Sequence, residues 1–332
     1  MRHVFFLHSH ITWLVARAVI RHQGVAPGDV LLVCTRGYRP PDASYPTTVF
    51  PDRRWVITWR LDRWWRLQRE LARFVDEVAA GGDFTWYLPH TAFPFFRAFV
   101  RHPACRGFSL IEEGLAAYYT PEAADAALRR VATSRFGWRR WAARAWVWLR
   151  PPVFADPRYL QAYGCTDEAF PGYARRTRVH IEERASEGAE DVRAVVAFDA
   201  VLEAQVAGEA AFFQSLDELM AHLAEAGHAR VHYKLHPQQY IDARYRPRLV
   251  QALQGNRHGL RFTELPADSC LELLAQGGRT DFYVFVSSIA IYASASGCQV
   301  FSMSQRLAEL DPQYRRVVEA VPAGVRARMR FL

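Results

Sequence analysis

Two Rossmann-like α/β domains with parallel sheets facing a central cleft are predicted by three features of this chain. Strand-like and helix-like segments alternate along it, the mark of parallel α/β units. The alternation lapses once, over residues 150–190, and then resumes. A length of 332 residues is too great for one ordinary core and suits two. Ligands of such open sheets sit beyond the carboxyl ends of strands. Side chains at those ends are therefore the first candidates for a site.

In the first half, Val4–Leu7 is a buried strand and Thr12–His22 a helix closed by Gly24. Asp29–Cys34 gives a second strand, Trp55–Thr58 a third, and Arg63–Ala80 a helix. Thr85–Leu88 and Ser109–Ile111 are short strands with helical sequence around them. Residues 150–190 hold Pro151, Pro152, Pro157 and Pro171 among many Arg and Glu, follow no period, and predict an interdomain connection. In the second half, Val192–Phe198 is a strand, Ser215–Ala226 a helix and Arg230–Leu235 a strand. A helix follows over Arg244–Gln254, then a short strand at Leu260–Phe262 and a helix at Asp268–Ala275. Phe282–Val286 is a strand, Ser287–Ala295 a helix and Gln299–Ser302 a strand. The domains expected are 1–180, completed by the C-terminal tail 310–332, and 190–309.

Half the residues are apolar and 14% aromatic, so the chain is globular rather than disordered. The net charge of +8 points to an anionic partner: a nucleotide, a nucleic acid, an acidic glycan or an anionic membrane surface. Five cysteines, odd in number and never in CxxC spacing, argue against disulfide and zinc frameworks and for a reducing compartment. No signal peptide or stretch of transmembrane length is visible. A cytoplasmic location is expected.

Of 42 basic residues a single one is lysine, Lys234, in Tyr233-Lys234-Leu235-His236-Pro237. An ammonium is a compact point charge and a guanidinium a rigid planar fork, so the two are not interchangeable at a shaped site. Drift toward arginine in a GC-rich genome would also leave a stray lysine. Its place beside His-Pro at the end of a strand weighs against that reading. On an unbroken strand Lys234 and His236 share a face, and Pro237 ends the strand and holds His236 extended. A cation and an imidazole together suit a phosphate, whereas His236 alone is as well read as a core histidine.

Three further motifs lie at element ends. Ile111-Glu112-Glu113-Gly114 runs a strand into two carboxylates of which only one can face a cleft, with a glycine that permits a sharp turn. One carboxylate there could serve as general base, although a lone Glu-Glu-Gly is more often a solvated turn. Ser287 and Ser288 stand where a strand enters a helix, able to cap it or to join its free N–H groups in holding phosphate. Between these motifs, Asp268 or Ser269 caps a short helix that carries Glu272 on its first turns.

In this order, Glu-Glu-Gly, Lys-x-His-Pro, the helical Glu and Ser-Ser resemble the signature of bacterial sialyltransferases of the GT-B fold, which share D/E-D/E-G, HP and SS motifs. The resemblance covers the skeleton from about residue 109 to 302. It implies a CMP-activated nonulosonic acid as donor, sialic acid above all, transferred with inversion to a glycan hydroxyl of a lipooligosaccharide, capsule or other surface glycan. It further implies that Glu113 is the general base, with Glu112 as its fallback, and that His236 assists departure of the CMP phosphate. Ser287 and Ser288 would bind that phosphate, Lys234 would help hold the nucleotide with Pro237 also at the donor site, and Glu272 would bind the ribose hydroxyls. No Asp-x-Asp occurs, a motif that Mg²⁺- or Mn²⁺-dependent sugar-nucleotide enzymes commonly carry, so neither metal nor cofactor is expected.

Other readings remain beside this one. Kdo, legionaminic and pseudaminic acids are also CMP-linked, and the motifs do not separate them. A non-catalytic protein binding glycan, lipid or nucleic acid would explain the charge but not Lys-x-His-Pro; nucleic acid is not an expected partner. Finally, Trp138, Trp141 and Trp148 share one face of a helix over 136–150, with Arg139, Arg140 and Arg144 outside it. The tryptophans either pack in the first domain or meet an anionic inner-membrane surface, which the basic tail 325–330 could also touch.

Overall fold

The computed structural model describes residues 1–35, 37–50, 61–90, 96–124, 126, 156–182, 192–241 and 244–332. The expected strand at Trp55–Thr58 and the Trp/Arg segment 136–150 lie outside them. The chain divides into two compact units, Met1–Glu182 and Glu183–Leu332.

Among the described residues the first unit carries seven strands: β1 (Arg2–Leu7), β2 (Val30–Cys34), β3 (Thr47–Val49), β4 (Phe84–Leu88), β5 (Cys105–Ile111), β6 (Tyr159–Gly164) and β7 (Arg176–Arg178). They pair in the order β3-β2-β1-β4-β5-β6-β7, all parallel. β4 is buried along its whole length, as the continuous apolar run Phe-Thr-Trp-Tyr-Leu requires of a strand covered on both faces. Helices α1 (His10–Gln23), α2 (Leu61–Ala79) and α3 (Phe96–Arg101) belong to this unit. Ser9 caps α1 by accepting the Thr12 N–H while the Thr12 side chain reaches back, and Gly24 closes it at φ 63° in the left-handed region. The core is aromatic: Trp86 stacks on Phe99 with ring centroids 4.5 Å apart, and Phe50 meets Phe6, Phe74 and Phe99 edge-on.

β6 and β7 lie within the stretch 150–190 expected to form an interdomain connection, so the first sheet continues as far as Arg178. β7 is an exposed Arg-Thr-Arg at the sheet edge, where no buried face imposes an apolar pattern.

The second unit repeats the plan with β8 (Ala194–Ala197), β9 (Arg230–Lys234), β10 (Arg261–Glu264), β11 (Asp281–Val284), β12 (Val300–Ser302) and β13 (Arg330–Phe331). Their order is β10-β9-β8-β11-β12-β13, again parallel throughout. Helices α4 (Glu209–Glu225), α5 (Pro237–Ile241), α6 (Arg246–Gln254), α7 (Leu271–Ala275), α8 (Ile289–Ala295), α9 (Ser304–Leu310), α10 (Pro312–Ala320) and α11 (Ala323–Arg326) connect them. The buried face of α4, with Phe212, Leu216, Leu219 and Leu223, packs in one core with Tyr233, Tyr283 and Phe285.

The expectation that the tail completes the first unit is corrected: it belongs to the second. Tyr314 and Val318 of α10 are buried in the second core, and β13 extends the second sheet beside β12. Asp311 caps α10 at the Gln313 N–H and accepts the Gly208 N–H at 2.6 Å, joining the tail to the start of α4.

Counted within its unit, each sheet has the strand order 3-2-1-4-5-6, with β7 added to the first. The order reverses between β1 and β4 in one unit and between β8 and β11 in the other. In a doubly wound sheet that reversal opens a crevice at the carboxyl edge. Among the described residues no helix is long and apolar enough to cross a membrane.

Trp86 is fully buried in the first core. Trp86→Ala should therefore cost about 3–5 kcal/mol, read as a lower urea midpoint for the transition that reports the first unit.

Candidate active site

The first unit gathers three ionisable side chains at the carboxyl ends of adjacent strands. His8 follows β1, His90 lies two residues beyond β4, and Glu113 two beyond β5. One Glu113 oxygen meets Nε2 of His8, and the other lies 3.5 Å from Nε2 of His90. Side-chain exposure falls from 25% at His90 through 18% at Glu113 to 5% at His8, so His8 is the most enclosed of the three. Gly114, at φ 55°, makes the turn that takes the chain off β5 directly after this carboxylate.

Glu112 points the other way, as alternation along β5 demands. It is completely buried. One of its oxygens accepts the Tyr118 hydroxyl at 2.7 Å and the other the Cys165 N–H at 2.5 Å. Burial, and then the Glu112 carboxylate itself, pushes the Tyr118 phenol well above the tyrosine range, so it stays a donor. A Cβ at Gly164 would clash with the Ala169 Cβ and come within 3.3 Å of Glu112 Oε2, which explains the glycine there. Of the two adjacent acids, Glu112 braces β6 and the loop after it, while Glu113 is presented.

In the second unit, Lys234 ends β9. Its ammonium donates to the carbonyls of Ala267 at 2.8 Å, Ser269 at 2.7 Å and Pro266 at 3.4 Å. Burial lowers the Lys234 pKa, against the pull of Glu272, Cys270 and Asp268. β9 stops at Lys234, Leu235 turns inward, and His236 is exposed rather than in the core. The His236 N–H donates to Gln239 Oε1 at 2.8 Å, and Nδ1 accepts the Gln238 N–H at 3.1 Å. With Nδ1 an acceptor, the neutral ring carries its hydrogen on Nε2. Pro237 opens α5.

Ser288 is the N-cap residue of α8 without a side-chain cap bond, and the Ser287 hydroxyl accepts the Ile289 N–H at 3.4 Å. α7 begins later than expected. Its N-cap residue is Cys270 rather than Asp268 or Ser269, because the carbonyls of the preceding loop are turned to Lys234. Glu272 lies on the first turn of α7, where its Oε2 accepts from the Cys270 thiol at 3.3 Å.

The motifs gave no sign of His90 or of Asp199. Asp199 follows β8 and accepts the Val286 N–H at 2.5 Å, tying the two strand ends on either side of the order reversal. Burial raises its carboxyl from 3.8 to about 7, the Val286 hydrogen bond opposing. Among the described residues no group of three or more His, Cys, Asp or Glu side chains is placed to hold a metal ion.

No family model matches the chain, and no curated protein matches it. Solved structures do. The UDP-GlcNAc 2-epimerase of Methanocaldococcus jannaschii, in complex with UDP-GlcNAc and UDP, is 9% identical over 97% of this chain and 92% of its own, at a TM-score of 0.53. MurG of Acinetobacter baumannii is 11% identical over 100% of this chain and 85% of its own, at a TM-score of 0.41. The S. aureus MnaA–UDP structure gives 9% identity, coverage of 97% and 92%, and a TM-score of 0.49. At such identity the likeness is one of fold, and the fold is GT-B.

Two outcomes follow from Glu112 and Asp199. Glu112→Ala removes the acceptor of the part-buried Cys165 N–H and leaves the Tyr118 hydroxyl to Thr166 alone. A loss of about 1–3 kcal/mol should lower the urea midpoint, with Glu112→Gln closer to wild type. For Asp199 the folded pKa lies above the unfolded one, so between about pH 4 and 7 the folded chain keeps a proton that the unfolded chain has lost. Its contribution to stability is complete below about pH 4 and is lost as pH rises through about 7. Urea midpoints measured on both sides of that window should fall with pH in wild type, and less steeply in Asp199→Asn.

Proposed function

We propose that this protein is an inverting glycosyltransferase that moves a sugar from a nucleotide donor to a glycan hydroxyl, and that its donor is a CMP-activated nonulosonic acid, sialic acid first. The observation that carries the reading is Glu113: a presented carboxylate at the carboxyl edge of a Rossmann sheet, held between His8 and His90. The archaeal GT-B epimerase, solved with UDP-GlcNAc and UDP, supports the nucleotide-sugar class. The choice of CMP rests on the order Glu-Glu-Gly, Lys-x-His-Pro, Ser-Ser.

In the reaction, an acceptor oxygen attacks the anomeric carbon as the bond from that carbon to the CMP phosphate breaks. The bonding pair leaves with phosphate, and the acceptor proton passes to Glu113. His8 fixes one oxygen of the carboxylate, and His90 lies beside the other. Positive charge grows on the sugar and negative charge on the phosphate. The His236 Nε2–H and the hydroxyls of Ser287 and Ser288 supply donors for that phosphate, and preorganised donors of this kind often contribute most of a rate enhancement. Attack from the face opposite the leaving group inverts the anomeric centre, as in inverting glycosidases. Glu272 would hold the ribose hydroxyls.

A thermal-shift panel of CMP, CMP-sialic acid, UDP and UDP-GlcNAc tests this. A ligand at 100 times its Kd adds about 2.7 kcal/mol to the unit that binds it, so CMP and CMP-sialic acid should raise the melting temperature of one transition. Stabilisation by the uridine ligands alone would move the donor to UDP-sugars, and no stabilisation by any of them would overturn the class. Glu113→Gln should cut transfer by on the order of 100–10,000-fold while CMP binding persists. Wild-type turnover in that variant would remove the base from Glu113.

A further inference from the structure

The lone lysine does something more specific than add a positive charge at a nucleotide site. Three backbone carbonyls, from Pro266, Ala267 and Ser269, converge on its single nitrogen. An ammonium has three donors and no acceptor, so these contacts engage its full capacity. A guanidinium spreads its five donors over three nitrogens in one plane and cannot gather them at one point. That geometry supplies the reason for a lysine at position 234 in a chain that otherwise uses arginine.

The held loop runs from the end of β10 into α7, which carries Glu272. Its other end is fixed from the opposite side of β9. Tyr233 and Tyr240 donate their hydroxyls to Glu264 at 3.2 and 3.0 Å, and Arg246 pairs with the same carboxylate at 3.3 Å while lying over the Tyr240 ring. The Leu265 N–H donates to the Tyr233 carbonyl at 2.8 Å. Between that anchor and α7, Lys234 is the side chain that reaches in to hold the loop carbonyls.

We propose that Lys234 is a positioning residue: its ammonium locks the loop 266–269 so that Glu272 is set for a ribose, and it makes no contact with the nucleotide phosphate. The inference rests on the reading of the second unit as the nucleotide-binding half. It predicts that loss of the lock weakens recognition of the nucleoside, whether or not a phosphate is attached.

The test uses the full chain as wild type, Lys234→Met and Lys234→Arg, with Kd for cytidine and for CMP measured by calorimetry. Both variants should bind both ligands more weakly by one common factor, about tenfold for a loss the size of one charged hydrogen bond. Amide exchange over residues 267–274 should speed up in both variants without ligand. Weakened CMP with unchanged cytidine would overturn the proposal in favour of a phosphate contact. Wild-type affinities in Lys234→Arg would overturn the requirement for an ammonium. If wild type binds neither ligand, the nucleotide reading fails separately, and exchange still decides the lock: unchanged protection in Lys234→Met overturns it.

Discussion

In both units every described strand runs in the same direction as its neighbours, and this constraint places all the chemistry. Parallel strands need crossovers, so each strand leaves its sheet at the same edge and returns at the other. Residues far apart in sequence are thereby delivered side by side. His8, His90 and Glu113 come together because β1, β4 and β5 are neighbours that all end at one edge. Asp199 and Val286 meet across the β8–β11 pair for the same reason. Reversal of the strand order at β1/β4 and β8/β11 keeps the flanking crossovers from covering those two places.

Within that frame, the two-residue period of a strand separates structural from available groups at single-residue resolution. Glu112 and Glu113 are chemically identical neighbours with opposite fates: one is enclosed by a phenol and an amide, the other is set between two imidazoles. The same division holds around β9. Tyr233 turns to Glu264 on one side, while Lys234 turns to the loop carbonyls on the other. Each oxygen of the buried Glu112 has a donor, and the three donors of Lys234 have three carbonyls.

Much of the fold was legible because buried parallel strands are spelled in continuous apolar runs. Phe84–Leu88 and Ala194–Ala197 could be read directly, and so could α1, closed by Gly24. The unreadable parts are those where burial imposes no pattern. Thr47–Val49 and Arg176–Arg178 are exposed edge strands, and Arg330–Phe331 is two residues long. Glu113 and His236 were visible because each stands just past a strand-like run and beside a Gly or a Pro. His90 stands alone after Pro89 with no period to mark it, and Asp199 follows β8 with nothing to distinguish it from a turn residue. The partners of Lys234 lie 32 to 35 positions away, a distance at which only the completed sheet reveals the contact.

A chain with one lysine also offers one peptide bond to a lysine-specific protease. That bond, from Lys234 to Leu235, leaves the end of an interior strand, with Leu235 in the core and the side chain that the enzyme must grip already engaged by carbonyls. Scission there can occur only when the second sheet has opened at β9. Digestion rate thus becomes a clock for the opening of one strand, uncomplicated by cuts anywhere else in the polypeptide.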